Sequence, residues 1–134
     1  MGALALLLSR TGPPDPDRVR EMLAAAPHRG AQRDVSVVDR VAVGTCNEPG
    51  WMTATLAREG NRLVAFCGAL DNSDELRSEL KQARGWEPAD GTPAEILLAA
   101  TTVWGDEAAV ARLRGSFAGV ITDGRKVCCF RDQF

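Results

Sequence analysis

Four cysteines and one histidine are the residues of this 134-residue chain that could most readily act as nucleophiles or metal ligands. They are Cys46, Cys67, Cys128, Cys129 and His28. No two cysteines have the Cys-x-x-Cys spacing, and the histidine is distant from all four in sequence, so the pattern does not predict a zinc site. We therefore expect no metal and no cofactor, and we interpret the four thiols as small apolar fillers.

The composition indicates one globular domain. The chain is 45% hydrophobic and 25% charged, and its net charge is −2. This balance excludes a disordered chain, and no basic stripe of the kind that binds nucleic acid is present. The longest apolar run, residues 3–8, is far shorter than the ~18 residues that span a bilayer, and it lacks the flanks of a signal peptide. We expect a single domain over residues 1–134 in the cytoplasm, without membrane or nucleic-acid partners.

The elements that must position the candidate residues can be predicted from apolar periodicity and from capping signals. Strands are predicted at 3–8, 35–38, 41–45, 53–58, 62–67, 116–122 and 126–131, the first of them buried on both faces. Helices are predicted at 16–26 after the cap Asp15, from 73 onward after the cap Asn72 with Glu75 in a capping box, at 93–104 after Thr92, and at 106–113. Residues 28–34 are predicted to be a polar loop. The order predicts an α+β fold with an antiparallel sheet and segregated helices.

Six short segments, spread over nearly the whole chain, carry a more specific signal. They are Met1-Gly-Ala-Leu-Ala-Leu6, Met22-Leu-Ala-Ala-Ala-Pro-His-Arg-Gly30, Phe66-Cys-Gly-Ala-Leu-Asp-Asn72, Thr92-Pro-Ala-Glu95, Leu113-Arg-Gly-Ser-Phe-Ala118 and Arg131-Asp-Gln-Phe134. In this order they resemble the N-terminal class II glutamine amidotransferase domain of asparagine synthetase and β-lactam synthetase-like proteins. The resemblance implies an N-terminal-nucleophile (Ntn) hydrolase-like αββα fold, with two antiparallel sheets between helix layers. It also implies that this chain is C-terminally truncated relative to the family.

The same resemblance implies that the family's glutaminase groups are replaced here. In the family, methionine removal exposes a cysteine that attacks the glutamine amide, with its own α-amine as the base. Position by position, the family's nucleophile, its arginine, its oxyanion asparagine and glycine, the following glutamate and the later aspartate correspond to Gly2, Asn47, Cys67, Gly68, Ala69 and Pro93. Only the glycine is kept. We therefore expect no catalytic residue and a degenerate pocket.

Several functions stay open at this point. The chain could be a non-catalytic scaffold or docking domain, or the N-terminal part of an ATP-dependent amide-forming synthetase whose pyrophosphate loop is absent from this chain. It could also be a small-molecule binding module. A fourth hypothesis is a surviving glutaminase that uses Cys46 or Cys67. It is disfavoured because neither cysteine has a free α-amine. The expected partner is a second copy in a homodimer or a synthetase-type domain.

Overall fold

A computed structural model describes residues 2–48, 53–86 and 91–133. Over these residues it contains strands, α-helices and one short 3₁₀ turn at Pro27–Arg29. The strands are β1 (Ala3–Leu8), β2 (Gln32–Val38), β3 (Val41–Asn47), β4 (Ala54–Glu59), β5 (Arg62–Leu70), β6 (Gly115–Thr122) and β7 (Val127–Arg131). The helices are α1 (Pro16–Ala24), α2 (Ser73–Arg84), α3 (Pro93–Trp104) and α4 (Asp106–Ala111).

The strands form two antiparallel sheets. The first sheet has the order β1-β3-β2, and the second has the order β4-β5-β6-β7. Hairpin connections join β2 to β3, β4 to β5 and β6 to β7, which is why these neighbours in sequence are also neighbours in space. The predicted α+β fold with antiparallel pairing is confirmed.

Three apolar clusters arrange the chain in layers. One cluster joins α1 to the first sheet, where Val19 and Leu23 of the helix pack on β3. A second cluster lies between the sheets, and Val43 and Leu63 are among its fully buried members. The third and most extensive cluster joins α2, α3 and α4 to the second sheet around Phe66. The order of layers is therefore helix, sheet, sheet and helices.

Two of the predicted helix N-caps are observed, and the side chain of each accepts the expected hydrogen bond. Asp15 accepts a hydrogen bond from the backbone N–H of Asp17 at 2.9 Å, and Thr92 accepts one from that of Glu95 at 3.3 Å. Each satisfies one of the backbone donors left free in a first helical turn.

The predicted capping box at the start of α2 is wrong. The side chain of Asn72 makes no cap hydrogen bond; it donates to the carbonyl of Arg112 at 2.8 Å and accepts from the N–H of Arg114 at 3.0 Å. The local pattern predicts that the Asn72 side chain caps the helix at Glu75, but its amide binds residues that are distant in sequence instead.

Three further expectations need correction. The strand β1 is half-buried at the edge of its sheet rather than buried on both faces, and Leu8 is 51% exposed. The strand β2 begins at Gln32, inside the predicted polar loop, because its polar residues still pair with β3. The helix α1 ends at Ala24, and Met22, predicted on its apolar stripe, is 47% exposed.

Candidate functional site

Gly2 and Cys67 lie at the same end of the two facing sheets. Ala3 pairs with Cys46 at the end of the β1–β3 ladder, and Gly2 directly precedes this pair. In the second sheet Ala54 pairs with Cys67. A Cβ atom built on Gly2 would lie 2.9 Å from the Cβ of Ala54. Gly2 therefore packs directly on the strand pair that carries Cys67.

Asn47, the last residue of β3, joins the two sheets at this same end. Its side chain is 4% exposed. The Oδ1 atom accepts from the backbone N–H groups of Thr53 at 3.0 Å and Ala54 at 2.7 Å, while Nδ2 donates to the carbonyl of Ala54 at 2.8 Å. An asparagine amide has two acceptor and two donor sites, so three of its four are occupied by backbone. The side chain of Asn47 therefore links the two sheets and has little capacity left to bind a ligand.

The backbone N–H of Gly68 also has a hydrogen-bond acceptor within the fold. Its N–H donates to the carbonyl of Thr53 at 2.8 Å. Its φ is +126°, and an added Cβ would lie 2.2 Å from the carbonyl oxygen of Ser116 on β6. Only glycine fits this close approach of two strands. The position therefore requires glycine for reasons of packing, and its N–H already has an acceptor.

Cys67 is half-buried on β5, and its surroundings disfavour the thiolate. Burial raises the pKa of the Cys67 thiol above its ordinary value; Arg29 opposes this rise, and Cys46 adds to it. A thiol with a raised pKa stays protonated near neutral pH, and the protonated form is a weak nucleophile.

Cys46 lies on the other face of β3 from Asn47, because neighbouring residues of a strand alternate. It is fully buried with Val19 and Leu23 under α1, and its sulfur donates to the carbonyl of Arg29 at 3.7 Å. This position fits the predicted filler role.

Cys128 and Cys129, in contrast, are exposed on the edge strand β7, so the filler prediction is wrong for them. His28, in the 3₁₀ turn after α1, is also exposed.

Ala69 and Pro93 complete the predicted set. Ala69 is exposed on β5 and pairs with Ser116. Pro93 is the first residue of α3, and the next residue, Ala94, donates its N–H to the hydroxyl of Thr55 on β4 at 3.1 Å. This bond fastens the start of α3 beside β4, one residue along from Ala54. Neither Ala69 nor Pro93 offers a charged group to a ligand.

Thr53 is a site residue that the sequence did not indicate. Its Oγ1 atom is buried and has no hydrogen-bond partner among the described residues. A Cβ built on Gly2 would lie 2.6 Å from this oxygen. A hydroxyl residue at the start of a predicted strand, here 53–58, is common, and none of its sequence neighbours marks it as a site residue. The contact exists only because two sheets meet.

Other kinds of site were also considered. Within residues 2–48, 53–86 and 91–133, no group of three His, Cys, Asp or Glu side chains is placed to hold a metal ion. A groove of about 580 Å³ runs between β4, α2 and α3, with Arg58, Trp86 and Glu95 among its lining residues. It includes none of the predicted pocket residues. Among the described helices, none has both the length and the apolar character needed to cross a membrane.

Comparison of the sequence with known families identifies one that the chain matches. Residues 50–134 match the sequence model of the glutamine amidotransferase domain, which is more than half of the chain. The matched range contains Cys67, Gly68, Ala69 and Pro93, whereas Gly2 and Asn47 lie before it. No curated protein matches the chain. With two antiparallel sheets between helices and a family match over residues 50–134, the chain belongs to the glutamine amidotransferase domain family.

Proposed function

We propose that this chain is a pseudoenzyme: an asparagine synthetase-like glutamine amidotransferase domain that has lost glutaminase chemistry and serves as a scaffold or docking domain. The observation that carries the proposal is Gly2, which has no side chain and which the resemblance to the family aligns with the nucleophile. Attack on a glutamine amide needs a thiolate beside a base. Removal of Met1 would leave an amine at Gly2 without a nucleophile on the same residue.

The oxyanion groups support the same proposal. The family stabilises the tetrahedral oxyanion with an asparagine amide and the N–H of the following glycine. Here Cys67 replaces the asparagine, and the N–H of Gly68 donates to Thr53. The loss of one oxyanion donor typically costs ~3 kcal/mol of transition-state stabilisation. Both donors are weakened here, one by a change of residue and the other by an existing bond.

The groups that would hold the amino-acid part of glutamine are neutral. Asn47 is committed to the backbone of Thr53 and Ala54. The side chains of Ala69 and Pro93 carry no charge. A free amino acid has both an ammonium and a carboxylate, and binding it without counter-charges leaves both groups poorly compensated. These three positions therefore offer no counter-charge to glutamine.

Cys67 is the strongest alternative nucleophile, because it is close to Gly2 and half-buried. Its raised pKa, however, keeps the thiol protonated. It also sits within β5, paired with Ala54 and Ala118, rather than at a chain terminus with a free amine. We assign it a structural role.

The docking part of the proposal concerns the edge of β1 that pairs with no other strand in the described part of the chain. This strand reads Ala-Leu-Ala-Leu-Leu-Leu and lies at the edge of the first sheet. Natural edge strands usually carry charge, proline or a bulge that prevents pairing, and β1 has neither charge nor proline. A second copy paired antiparallel at this edge is the partner we propose, with a synthetase-type domain as the other candidate.

Ammonia release from glutamine by the purified chain tests the proposed loss of function. We expect no release above that of a heat-inactivated sample at millimolar glutamine. A second arm measures thermal stability with glutamine, glutamate and asparagine, and we expect no shift. Ammonia release that disappears in Cys67→Ala and persists in Cys129→Ala would overturn the proposal, because the exposed Cys129 serves as the matched control.

A further inference from the structure

Atoms of three other residues occupy the space that a side chain on Gly2 would need. A Cβ on Gly2 would lie 2.6 Å from Oγ1 of Thr53, 2.9 Å from Cβ of Ala54 and 3.0 Å from the carbonyl oxygen of Cys46. Real Cβ atoms essentially never approach other heavy atoms more closely than 3.0 Å. Any side chain at position 2 would therefore overlap first with the hydroxyl of Thr53.

Thr53 has little freedom to withdraw. Its N–H is held by Oδ1 of Asn47 at 3.0 Å, and its carbonyl is held by the N–H of Gly68 at 2.8 Å. The backbone is thus fixed on both sides, and only rotation about χ1 remains. For a β-branched side chain this rotation has few allowed positions.

Local structure does not explain why the hydroxyl of Thr53 is buried. It is buried, and no partner for it exists among the described residues. Buried polar groups in proteins are nearly always paired, so each unpaired one calls for an explanation. Substitution of Thr53 by alanine would therefore break no hydrogen bond of this hydroxyl to a described residue.

We propose that Thr53 fills the space that a nucleophile side chain at position 2 would need, so that the site is closed by packing as well as by the missing sulfur. This inference rests on the proposed loss of glutaminase function, because it takes Gly2 as the family's nucleophile position. It predicts that positions 2 and 53 are energetically coupled. Cysteine at position 2 should then disturb the fold less when residue 53 is smaller.

A double-mutant cycle tests the coupling. The variants are Gly2→Cys, Thr53→Ala and both together, and the readout is the midpoint of thermal unfolding. We expect Gly2→Cys alone to lower the midpoint and Thr53→Ala alone to leave it unchanged or higher. In the Thr53→Ala background, Gly2→Cys should cause a distinctly smaller loss, because the closest of the three contacts is gone. The overlap with Cβ of Ala54 remains in this background, so we still expect some decrease in the midpoint.

Thr55 provides the matched control. It is a buried threonine two residues along the same segment, and its hydroxyl accepts from Ala94 on the helix side of the sheet. Thr55→Ala should lower the midpoint by itself but should leave the effect of Gly2→Cys unchanged, since no atom of Thr55 is among the three nearest to a Cβ at position 2.

A second readout keeps the inference testable if Gly2→Cys folds poorly. Gly2→Ala introduces only the Cβ and should show the same coupling to Thr53→Ala. Equal losses from Gly2→Ala in the two backgrounds would overturn the inference. The result is independent of the glutamine assay: ammonia release by the unmodified chain overturns the proposed function, whereas additive midpoints overturn only the role of Thr53.

Discussion

The side chain of Asn47 holds Ala54 as a strand partner would, accepting from its N–H at 2.7 Å and donating to its carbonyl at 2.8 Å. This pair of bonds fastens the end of the first sheet to the start of the second. Asn47 is therefore part of the framework that joins the two sheets.

Replacement of Asn47 by alanine should strongly destabilise the fold. The change leaves two backbone N–H groups and one carbonyl without their partner, at Thr53 and Ala54. Each buried polar group left unpaired costs about 1–3 kcal/mol, and we expect a total loss near 3 kcal/mol after relaxation. Urea unfolding measures it. Gln82→Ala, an exposed position on α2, is the control and should change stability by less than about 0.5 kcal/mol. An equal effect of both substitutions would contradict the role of Asn47.

Gly68→Ala should cost far more than Gly85→Ala. Both glycines have positive φ, +126° and +66°, so both substitutions strain the backbone. Only at Gly68 does the new Cβ meet other atoms, 2.2 Å from the carbonyl oxygen of Ser116, whereas nothing lies within 4 Å at Gly85. We expect about 1 kcal/mol for Gly85→Ala and at least about 3 kcal/mol for Gly68→Ala, from denaturant unfolding. Similar losses would show that β5 and β6 can separate locally.

Alkylation of Cys67 should be slow at neutral pH and should rise only at alkaline pH. Burial is the main cause of its raised pKa, and the thiolate is the reactive form. Mass spectrometry after timed iodoacetamide treatment gives the rate at each cysteine. A free thiol of ordinary pKa in a short peptide provides the reference. Fast modification of Cys67 at pH 7 would instead indicate an activated thiolate and would support the hypothesis of a glutaminase that uses Cys67.

The stability of the β6–β7 hairpin should depend on pH through Asp123. Its Oδ1 accepts from the N–H of Arg125 at 2.9 Å and that of Lys126 at 2.8 Å, and these bonds lower the pKa of the Asp123 carboxyl. A lowered folded-state pKa stabilises the protein above the unfolded value of about 3.9, and the gain is lost as the pH falls through the folded value.

Asp123→Ala should therefore cost about 1 kcal/mol at pH 7, since the site is exposed, and progressively less below pH 4. Thermal unfolding followed by circular dichroism between pH 2.5 and 7 compares the two proteins. A difference that stays constant over this range would mean that the charge of Asp123 contributes nothing.

Leu8→Lys should weaken self-association at the edge of β1. Leu8 is 51% exposed at the end of this strand, and an added charge there opposes antiparallel pairing with a second copy. Light scattering after size exclusion measures the mass at several concentrations. Met22→Lys is the matched control, because Met22 is 47% exposed but lies on α1. A monomeric unmodified chain, or equal effects of the two changes, would exclude this interface.

The sequence by itself predicted the elements whose signals are local. Thr92 and Pro93 mark the start of α3, and Asp123 with Gly124 marks the last hairpin, because caps and tight turns depend on a few neighbouring residues. The order of these elements, together with the six segments, pointed to the amidotransferase family. Local signals failed where a distant group competed, as at Asn72, whose amide binds Arg112 and Arg114.

Tertiary structure decided what surrounds the candidate site. The sequence shows that position 2 is glycine, but only the meeting of two sheets brings Thr53 within 2.6 Å of its missing side chain. Likewise the sequence shows asparagine at position 47, and only the fold commits its amide to Ala54. The physical reason is range: propensity and capping act over a few residues, whereas packing and hydrogen bonding join groups that the sequence keeps apart.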